Sequence, residues 1–202
     1  MNLPNKLTLA RIVLVPVFLA CMYLPFSHHF LAATIVFALA SITDALDGHI
    51  ARSRNLITTF GKFADPLADK ILVLAAFAAM ADIGAVQDDT IGLYYPIHVN
   101  GIVVTIIAAR EFMVSGLRLV TAEKGVVVAA GIWGKLKTAF TMVTEVVILL
   151  LFFVVEDLRI YAPVMTPVTG WIIFALVWIS VALTIISGGV YLKGYWKYID
   201  MK

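Results

Sequence analysis

The sequence predicts an all-α polytopic membrane protein in which six transmembrane helices form one bundle. Of the 202 residues, 62% are hydrophobic and 14% are charged, whereas a soluble domain has about 45–50% apolar and about 25% charged residues. One transmembrane helix takes about 20 residues, so six helices would occupy most of the chain and leave short connections. This composition excludes a disordered chain, and we interpret residues 1–202 as a single integral-membrane domain.

Hydropathy along the chain predicts where each helix lies. The six apolar segments are 6–24, 29–50, 61–83, 97–121, 133–154 and 163–192. Prolines mark several of the turns between them, because proline lacks the N–H group that a helix interior needs. Pro25 follows the first segment, Pro96 precedes the fourth, and Pro163 lies near the start of the sixth. Cys21 is the only cysteine, so no disulfide can form within the chain.

Basic residues predict the orientation of the bundle, because short cytoplasmic loops collect Lys and Arg. With both termini in the cytoplasm, Arg159 alone among the 15 basic residues lies outside. The net charge of +2 is too balanced to indicate a nucleic-acid partner. Aromatic residues near the ends of the segments suit the lipid headgroup region. They are Tyr94, Tyr95, Tyr191, Tyr195 and Trp196.

Four aspartates adjoin two of the predicted helices at the cytoplasmic side. Asp44 and Asp47 are three residues apart at the end of the second helix, and Asp65 and Asp69 are four apart at the start of the third. Each pair therefore lies on one helix face. Ionised carboxylates cost about 2.5–3.5 kcal/mol each at the centre of a bilayer, so cations must offset them. One interpretation is ion pairing with the neighbouring basic residues, Arg52, Lys62 and Lys70.

The interpretation that we favour is a site for two divalent metal ions. Carboxylate oxygens suit Mg²⁺, Mn²⁺ or Ca²⁺ rather than zinc, and the charge of two such ions balances four aspartates. A substrate that carries phosphate would complete the coordination of the ions.

The spacing of these residues resembles the signature of the CDP-alcohol phosphotransferase family, D-x2-D-G-x2-A-R-x8-G-x3-D-x3-D. All eight fixed positions are present, as Asp44, Asp47, Gly48, Ala51, Arg52, Gly61, Asp65 and Asp69. The stretches MNLPNKLTLAR, AREFMVSGLRL and GKLKTAFTM look like one branch of that family, the bacterial phosphatidylglycerophosphate synthases. Members of this branch transfer the phosphatidyl group of CDP-diacylglycerol to glycerol 3-phosphate and release CMP.

The resemblance implies a role for each motif residue. Asp44, Asp47, Asp65 and Asp69 would hold two divalent cations, Mg²⁺ or Mn²⁺, and Asp69 would also be the general base that takes the proton of the acceptor hydroxyl. It further implies a homodimer in the bacterial cytoplasmic membrane, with the active site at the cytoplasmic face. The residues assigned to the nucleotide part of CDP-diacylglycerol are Asn5, Thr8, Gly48, Ala51, Arg52, Thr58 and Gly61.

An acceptor that carries its own phosphate requires basic residues beside the metal ions. Arg110, Arg118 and Lys135 are the candidates, and arginine favours two-pronged contacts with phosphate. Arg110 and Arg118 are eight residues apart, which is about 80° of helix rotation, so both can line one broad face. Anchoring at the cytoplasmic surface is the alternative role for each of them, and it is the role that we assign to Lys137.

The sequence leaves two alternatives to this function open. The same chemistry could use another acceptor, such as inositol phosphate, serine or phosphatidylglycerol. A cation transporter could also use aspartates within the membrane. Against transport, the four aspartates cluster at one face, Glu145 is the one charged residue near the middle of the first, fifth or sixth segment, and no repeat of broken helices occurs.

Overall fold

A computed structural model describes residues 2–53, 59–85, 99–123, 131–158 and 165–198, and all regular structure in these residues is helical. For positions 3, 4, 44–53, 59–63, 65, 66, 84, 85, 122, 123, 156, 165–167 and 197 it describes the helical backbone and not the side chains. The α-helices are α1 (Leu3–Tyr23), α2 (His29–Ser53), α3 (Thr59–Ala85), α4 (Gly101–Glu123), α5 (Ile132–Phe152) and α6 (Met165–Tyr195). A π-helical turn, Phe153–Asp157, continues α5, and a 3-10 turn, Trp196–Tyr198, continues α6.

Each helix lies over one predicted apolar segment, and its ends differ from the predicted ends by four residues or fewer. Among the described residues, three stretches are long and apolar enough to cross a membrane. They are Asn5–Tyr23, Ile132–Val155 and Val168–Tyr195, and a shorter apolar stretch covers His29–Thr43. The all-helical class is therefore confirmed, with apolar spans, while six crossings and cytoplasmic termini stay predictions. Charged residues within α2, α3 and α4 lower the hydropathy of these helices.

Short connections and packing place alternate helix ends side by side. α1 packs on α2 and α3, α4 packs on α3 and α6, and α5 packs on α2 and α6. Five residues cannot cross the length of a helix of more than 20 residues, so α1, α2 and α3 run antiparallel in turn. The start of α1, the end of α2 and the start of α3 consequently share one end of the bundle, which we call the motif end.

The interior of the bundle is divided into an apolar half and a polar half. Away from the motif end, Phe18, Phe37, Phe77, Ile107 and Ile148 are all fully buried, and the rings of the first two lie 5.9 Å apart. Towards the motif end, buried side chains are mostly polar or charged. They are Asn5, Thr8, Arg11, Lys137, Thr141, Thr144, Glu145, Thr184 and Ser187. Buried polar groups within a membrane bundle are costly and typical of functional sites, so the polar half is where we locate the site.

At the opposite end of the bundle, the carboxylate of Asp157 connects α2 to the π-helical turn that follows α5. The backbone N–H groups of Phe30 and Leu31, in the first turn of α2, donate hydrogen bonds of 3.0 and 3.2 Å to Oδ2 of Asp157. Asp157 lies at the end of the π-helical turn, so it caps α2 from more than 120 residues away in sequence. A cap of this kind contributes about 0.5–2 kcal/mol and fixes α5 against α2.

Candidate functional site

The four motif aspartates lie on connected ends of two helices. Asp44 and Asp47 belong to the last ten residues of α2, and Asp65 and Asp69 belong to the first eleven residues of α3. Only residues 54–58 separate the two helices, so the chain holds both helix ends close together. The side chain of Asp69 is partly buried, whereas those of the other three lie outside the described residues.

The chemistry of these donors fits divalent cations. Two pairs of carboxylates, spaced three and four residues apart on helices, each present their oxygens on one face, and such oxygens are the ligands that Mg²⁺ and Mn²⁺ prefer. Among the side chains that the structure describes, no group of three or more His, Cys, Asp or Glu lies within reach of one ion. Three of the four motif aspartates are not in that set, so the metal site stays a prediction.

The predicted nucleotide residues fall on three helices at the motif end. Asn5 and Thr8 are 8% and 0% exposed on α1, which packs on both helices that carry the motif. Both interact with other residues of the chain. The remaining predicted residues are Gly48, Ala51 and Arg52 on α2, Gly61 on α3, whose side-chain positions lie outside the described residues, and Thr58, which lies outside them altogether.

Lys70 connects the motif helix to α4. It follows Asp69 directly, and its Nζ donates a hydrogen bond to Oγ of Ser115. Ser115 lies between Arg110 and Arg118 on α4, and Lys70 interacts electrostatically with both arginines. The aspartate motif and the predicted phosphate-binding arginines are therefore neighbours in the fold.

A partly buried carboxylate, Glu111, pairs with basic residues of both α4 and α5. Its Oε1 accepts a hydrogen bond of 3.0 Å from Nη1 of Arg110 and another from Nζ of Lys137. The three side chains are 13%, 10% and 4% exposed, respectively. Because loss of this carboxylate would leave two largely buried cations without a counter-charge, Glu111 holds both cations in place.

Tyr191 of α6 contacts both arginines. The guanidinium carbons of Arg110 and Arg118 lie 5.5 and 5.3 Å from the centre of its ring. Nη2 of Arg118 also donates a hydrogen bond of 3.1 Å to the Tyr191 hydroxyl, and Nη2 of Arg110 donates to Oγ of Ser187. The two arginines therefore share one face of α4, as their spacing predicts, and Arg118 is the more exposed of the two.

The third predicted phosphate ligand, Lys135, is exposed in the first turn of α5. Gly134 precedes it, and a Cβ atom at that position would lie 2.9 Å from the Tyr191 hydroxyl. The helices α5 and α6 therefore approach closely at this level, which places the backbone of Lys135 beside the ring that supports both arginines.

Comparison with known proteins shows the family of this chain. Residues 1–186 match the profile of a family described as CDP-alcohol phosphatidyltransferase. The chain belongs to this family.

Proteins named CDP-diacylglycerol–glycerol-3-phosphate 3-phosphatidyltransferase resemble this family member over most of their length. The protein of Bacillus subtilis is 41% identical over 199 residues, which cover 88% of this chain and 95% of the relative. The protein of Rickettsia typhi is 39% identical over 197 residues, which cover 98% of both chains. The protein of Pseudomonas fluorescens is 37% identical over 152 residues, which cover 74% of this chain and 72% of the relative. The predicted family is therefore confirmed.

One assignment made from the sequence of this CDP-alcohol phosphatidyltransferase is wrong. Lys137 was predicted at the surface, yet it is 3% exposed and paired with Glu111. Tyr191 and Tyr195 are 6% and 1% exposed, so they pack inside the protein, and their predicted level at the lipid headgroups stays a prediction. Trp196 is 55% exposed, as an interfacial ring would be, and positions 94 and 95 lie outside the described residues.

The sequence analysis also missed the buried polar residues that α5 of this phosphatidyltransferase presents to its interior. Lys137, Thr141, Thr144 and Glu145 follow the spacing i, i+4, i+7 and i+8, so they form a stripe along one face of α5. On α6, Ser180, Thr184 and Ser187 follow the spacing i, i+4 and i+7 and are fully buried. This periodicity of polar residues within two very apolar helices is the signal that could have found them. We call the two sets together the buried polar stripe.

Proposed function

We propose that this CDP-alcohol phosphatidyltransferase transfers the phosphatidyl group of CDP-diacylglycerol to glycerol 3-phosphate, giving phosphatidylglycerophosphate and CMP. The observation that carries the proposal is that the predicted metal-binding aspartates and the predicted phosphate-binding arginines lie next to each other at the motif end. The helix of the aspartate motif meets the basic segment of α4 where Lys70 donates its hydrogen bond to Ser115. An activated phosphate ester and a second phosphate can therefore be bound side by side. The names of the relatives support this choice of substrates.

Asp44, Asp47, Asp65 and Asp69 would hold two divalent cations, Mg²⁺ or Mn²⁺. When bound, such cations polarise the attacked phosphorus and stabilise the charge on the departing phosphate. Asp69 would take the proton from the acceptor hydroxyl, whose oxygen then forms the new bond to the phosphatidyl phosphorus while the bond from phosphorus to CMP breaks. Partial burial of Asp69 beside Lys70 suits a base that must stay ionised near a membrane.

The small residues of the motif would leave room for the cytidine and ribose of the donor. Gly48 and Ala51 on α2 and Gly61 on α3 carry little or no side chain, so the nucleotide could approach both backbones closely. Arg52 and Thr58 would contact the diphosphate or the nucleotide. Asn5 and Thr8, buried on the neighbouring face of α1, would complete that side of the pocket.

The phosphate of the acceptor would bind among Arg110, Arg118 and Lys135. Arg118 and Lys135 are exposed, so their charged groups can reach an incoming ligand. Arg110 is already fixed by Glu111 and Ser187, and it would add positive charge without having to change its position. Tyr191 would hold both guanidinium groups in fixed positions beside the phosphate, since arginine stacks on aromatic rings.

We place this site at the cytoplasmic face of the membrane and expect a homodimer. The motif end contains most of the basic residues, which favours the cytoplasmic side. Glycerol 3-phosphate and CMP are charged and soluble in water, so they would enter and leave the site from the cytoplasm.

The acceptor is tested directly by a panel of candidates. Purified protein in detergent with CDP-diacylglycerol and Mg²⁺ is supplied with glycerol 3-phosphate, inositol phosphate, serine or phosphatidylglycerol, and released CMP is measured. We expect glycerol 3-phosphate to give the highest kcat/KM. A higher value for any other acceptor would replace glycerol 3-phosphate in the proposal. Absence of CMP release with every acceptor, from protein that remains folded, would contradict phosphatidyl transfer itself.

A further inference from the structure

Glu145 is a buried carboxylate that the proposed reaction leaves without a role. It lies in the middle of α5 and is 0% exposed, and neither of its carboxylate oxygens accepts a hydrogen bond from any residue that the structure describes. The hydroxyl groups of Thr141 and Thr184 are likewise buried without a hydrogen-bond partner among the described residues. Since buried polar groups are normally satisfied, these four atoms require a partner that the described residues do not supply.

The packing of α5 against α6 places these three residues at neighbouring levels of the bundle. Gly134 faces Tyr191, and Thr144 lies within hydrogen-bond distance, 3.2 Å, of Ser180. These two contacts fix an antiparallel register, because each step towards the end of α5 corresponds to an equal step back along α6. The same register places Thr184 level with Thr141, and Glu145 follows Thr141 by one turn on the same face of α5.

This group of atoms lies behind the proposed acceptor site. The carboxylate of Glu145 interacts electrostatically with Lys137 and with Asp69, so it is close to both the basic cluster and the proposed base. Side chains on a helix tilt towards its N-terminus, which directs Glu145 towards the motif end. Further from that end, the buried residues of α5 are apolar, beginning with Ile148 and Leu149, so the buried polar stripe ends at Glu145.

We propose that Glu145, Thr141 and Thr184 form a subsite for the hydroxyl of the acceptor that does not react. This inference rests on the proposed function, in which a polyol phosphate is the acceptor. Its phosphate lies at Arg110, Arg118 and Lys135, and its attacking hydroxyl lies at Asp69. A hydroxyl group between those two ends both donates and accepts hydrogen bonds. The carboxylate of Glu145 can accept from it, and a threonine hydroxyl can donate to it.

Specificity follows from the same arrangement. An acceptor without the middle hydroxyl would leave the carboxylate and the threonine hydroxyls unsatisfied in a site built for hydrogen bonding, which is a strong basis for rejecting an analogue. The subsite would thus select a vicinal diol phosphate over a simple hydroxyalkyl phosphate.

Two acceptors that differ only in this hydroxyl test the proposal. Glycerol 3-phosphate and 3-hydroxypropyl phosphate are compared by kcat/KM for the wild-type protein and for Glu145→Leu and Thr184→Val. The wild type is expected to prefer glycerol 3-phosphate by about 5- to 150-fold, the equivalent of leaving one buried polar group without its hydrogen bond. Glu145→Leu should abolish most of this preference by weakening the reaction of glycerol 3-phosphate alone. Glu145→Gln keeps an oxygen acceptor and should restore much of the preference.

Ser180→Ala is the matched control, because Ser180 belongs to the buried polar stripe but pairs with Thr144 and should leave the ratio of the two acceptors unchanged. A wild-type ratio near one, or an equal loss for both acceptors in Glu145→Leu, would overturn the subsite while leaving phosphatidyl transfer intact. Failure of the proposed function would differ, because glycerol 3-phosphate would then release no CMP even with the wild type. If Glu145→Leu does not fold, the ratio for Thr184→Val decides the outcome.

Discussion

Lys135 and Lys137 are two residues apart on α5 and have opposite environments. Lys135 is exposed, whereas Lys137 is buried against Glu111. The sequence analysis assigned Lys137 to the surface, because its partner lies 26 residues earlier on another helix. Spacing along one helix predicted the aspartate pairs and the shared face of Arg110 and Arg118, but it carries no information on pairing between helices.

Replacing each lysine should therefore have a different consequence. Lys137→Met leaves Glu111 with Arg110 as its remaining partner, so we expect the free energy of unfolding to fall by about 1–3 kcal/mol. Lys135→Ala should change it by no more than about 0.5 kcal/mol and should instead raise the KM for glycerol 3-phosphate. Denaturation in detergent and steady-state kinetics measure the two effects. Equal stability of the two variants would show that the pair with Glu111 is not needed for folding.

At the scale of helices, hydropathy predicted the position of each helix but not how the helices meet. The contact of α5 with α6 depends on Gly134, where the absence of a side chain lets Tyr191 approach. It also depends on the buried polar stripe, in which Thr144 and Ser180 form a hydrogen bond across the two helices. Such contacts arise from shape and pairing, which the average hydropathy of a helix does not contain.

Gly134→Ala tests this contact. The added Cβ would lie 2.9 Å from the Tyr191 hydroxyl and 3.1 Å from a ring carbon, so the ring must move and release its hydrogen bond with Arg118. We expect a loss of stability of about 1–3 kcal/mol and a higher KM for glycerol 3-phosphate. Gly116→Ala is the control, since a Cβ at Gly116 meets nothing within 4 Å, and this change should be neutral or stabilising by up to about 1 kcal/mol. Identical kinetics for both variants would remove Tyr191 from the site.

For the whole molecule, the division into an apolar and a polar half is the feature that sets function. The sequence predicted that the charged motif lies at one side of the membrane, and the buried side chains of α1, α5 and α6 extend that polar region into the bundle. Hydropathy could not predict the depth of this region, because most of its members are threonines and serines, which hydropathy scales treat as nearly neutral.

Accessibility in intact cells tests the orientation of the molecule. In a background that lacks Cys21, Asp88→Cys should react with an impermeant thiol reagent added outside, and Asn55→Cys should react only after the cells are opened. The reason is that residue 55 adjoins the motif, while residue 88 lies in the connection at the other end. The reverse pattern would place the motif outside and separate it from cytoplasmic substrates.

The central claim is that the motif aspartates hold divalent cations that catalyse phosphatidyl transfer. The most direct measurement is CMP release from CDP-diacylglycerol and glycerol 3-phosphate by the purified protein, before and after chelation. We expect chelator to abolish release and added Mg²⁺ or Mn²⁺ to restore it, while Asp44→Asn and Asp65→Asn proteins stay folded and inactive at any concentration of metal. Full activity in excess chelator, or in either variant, would contradict the claim.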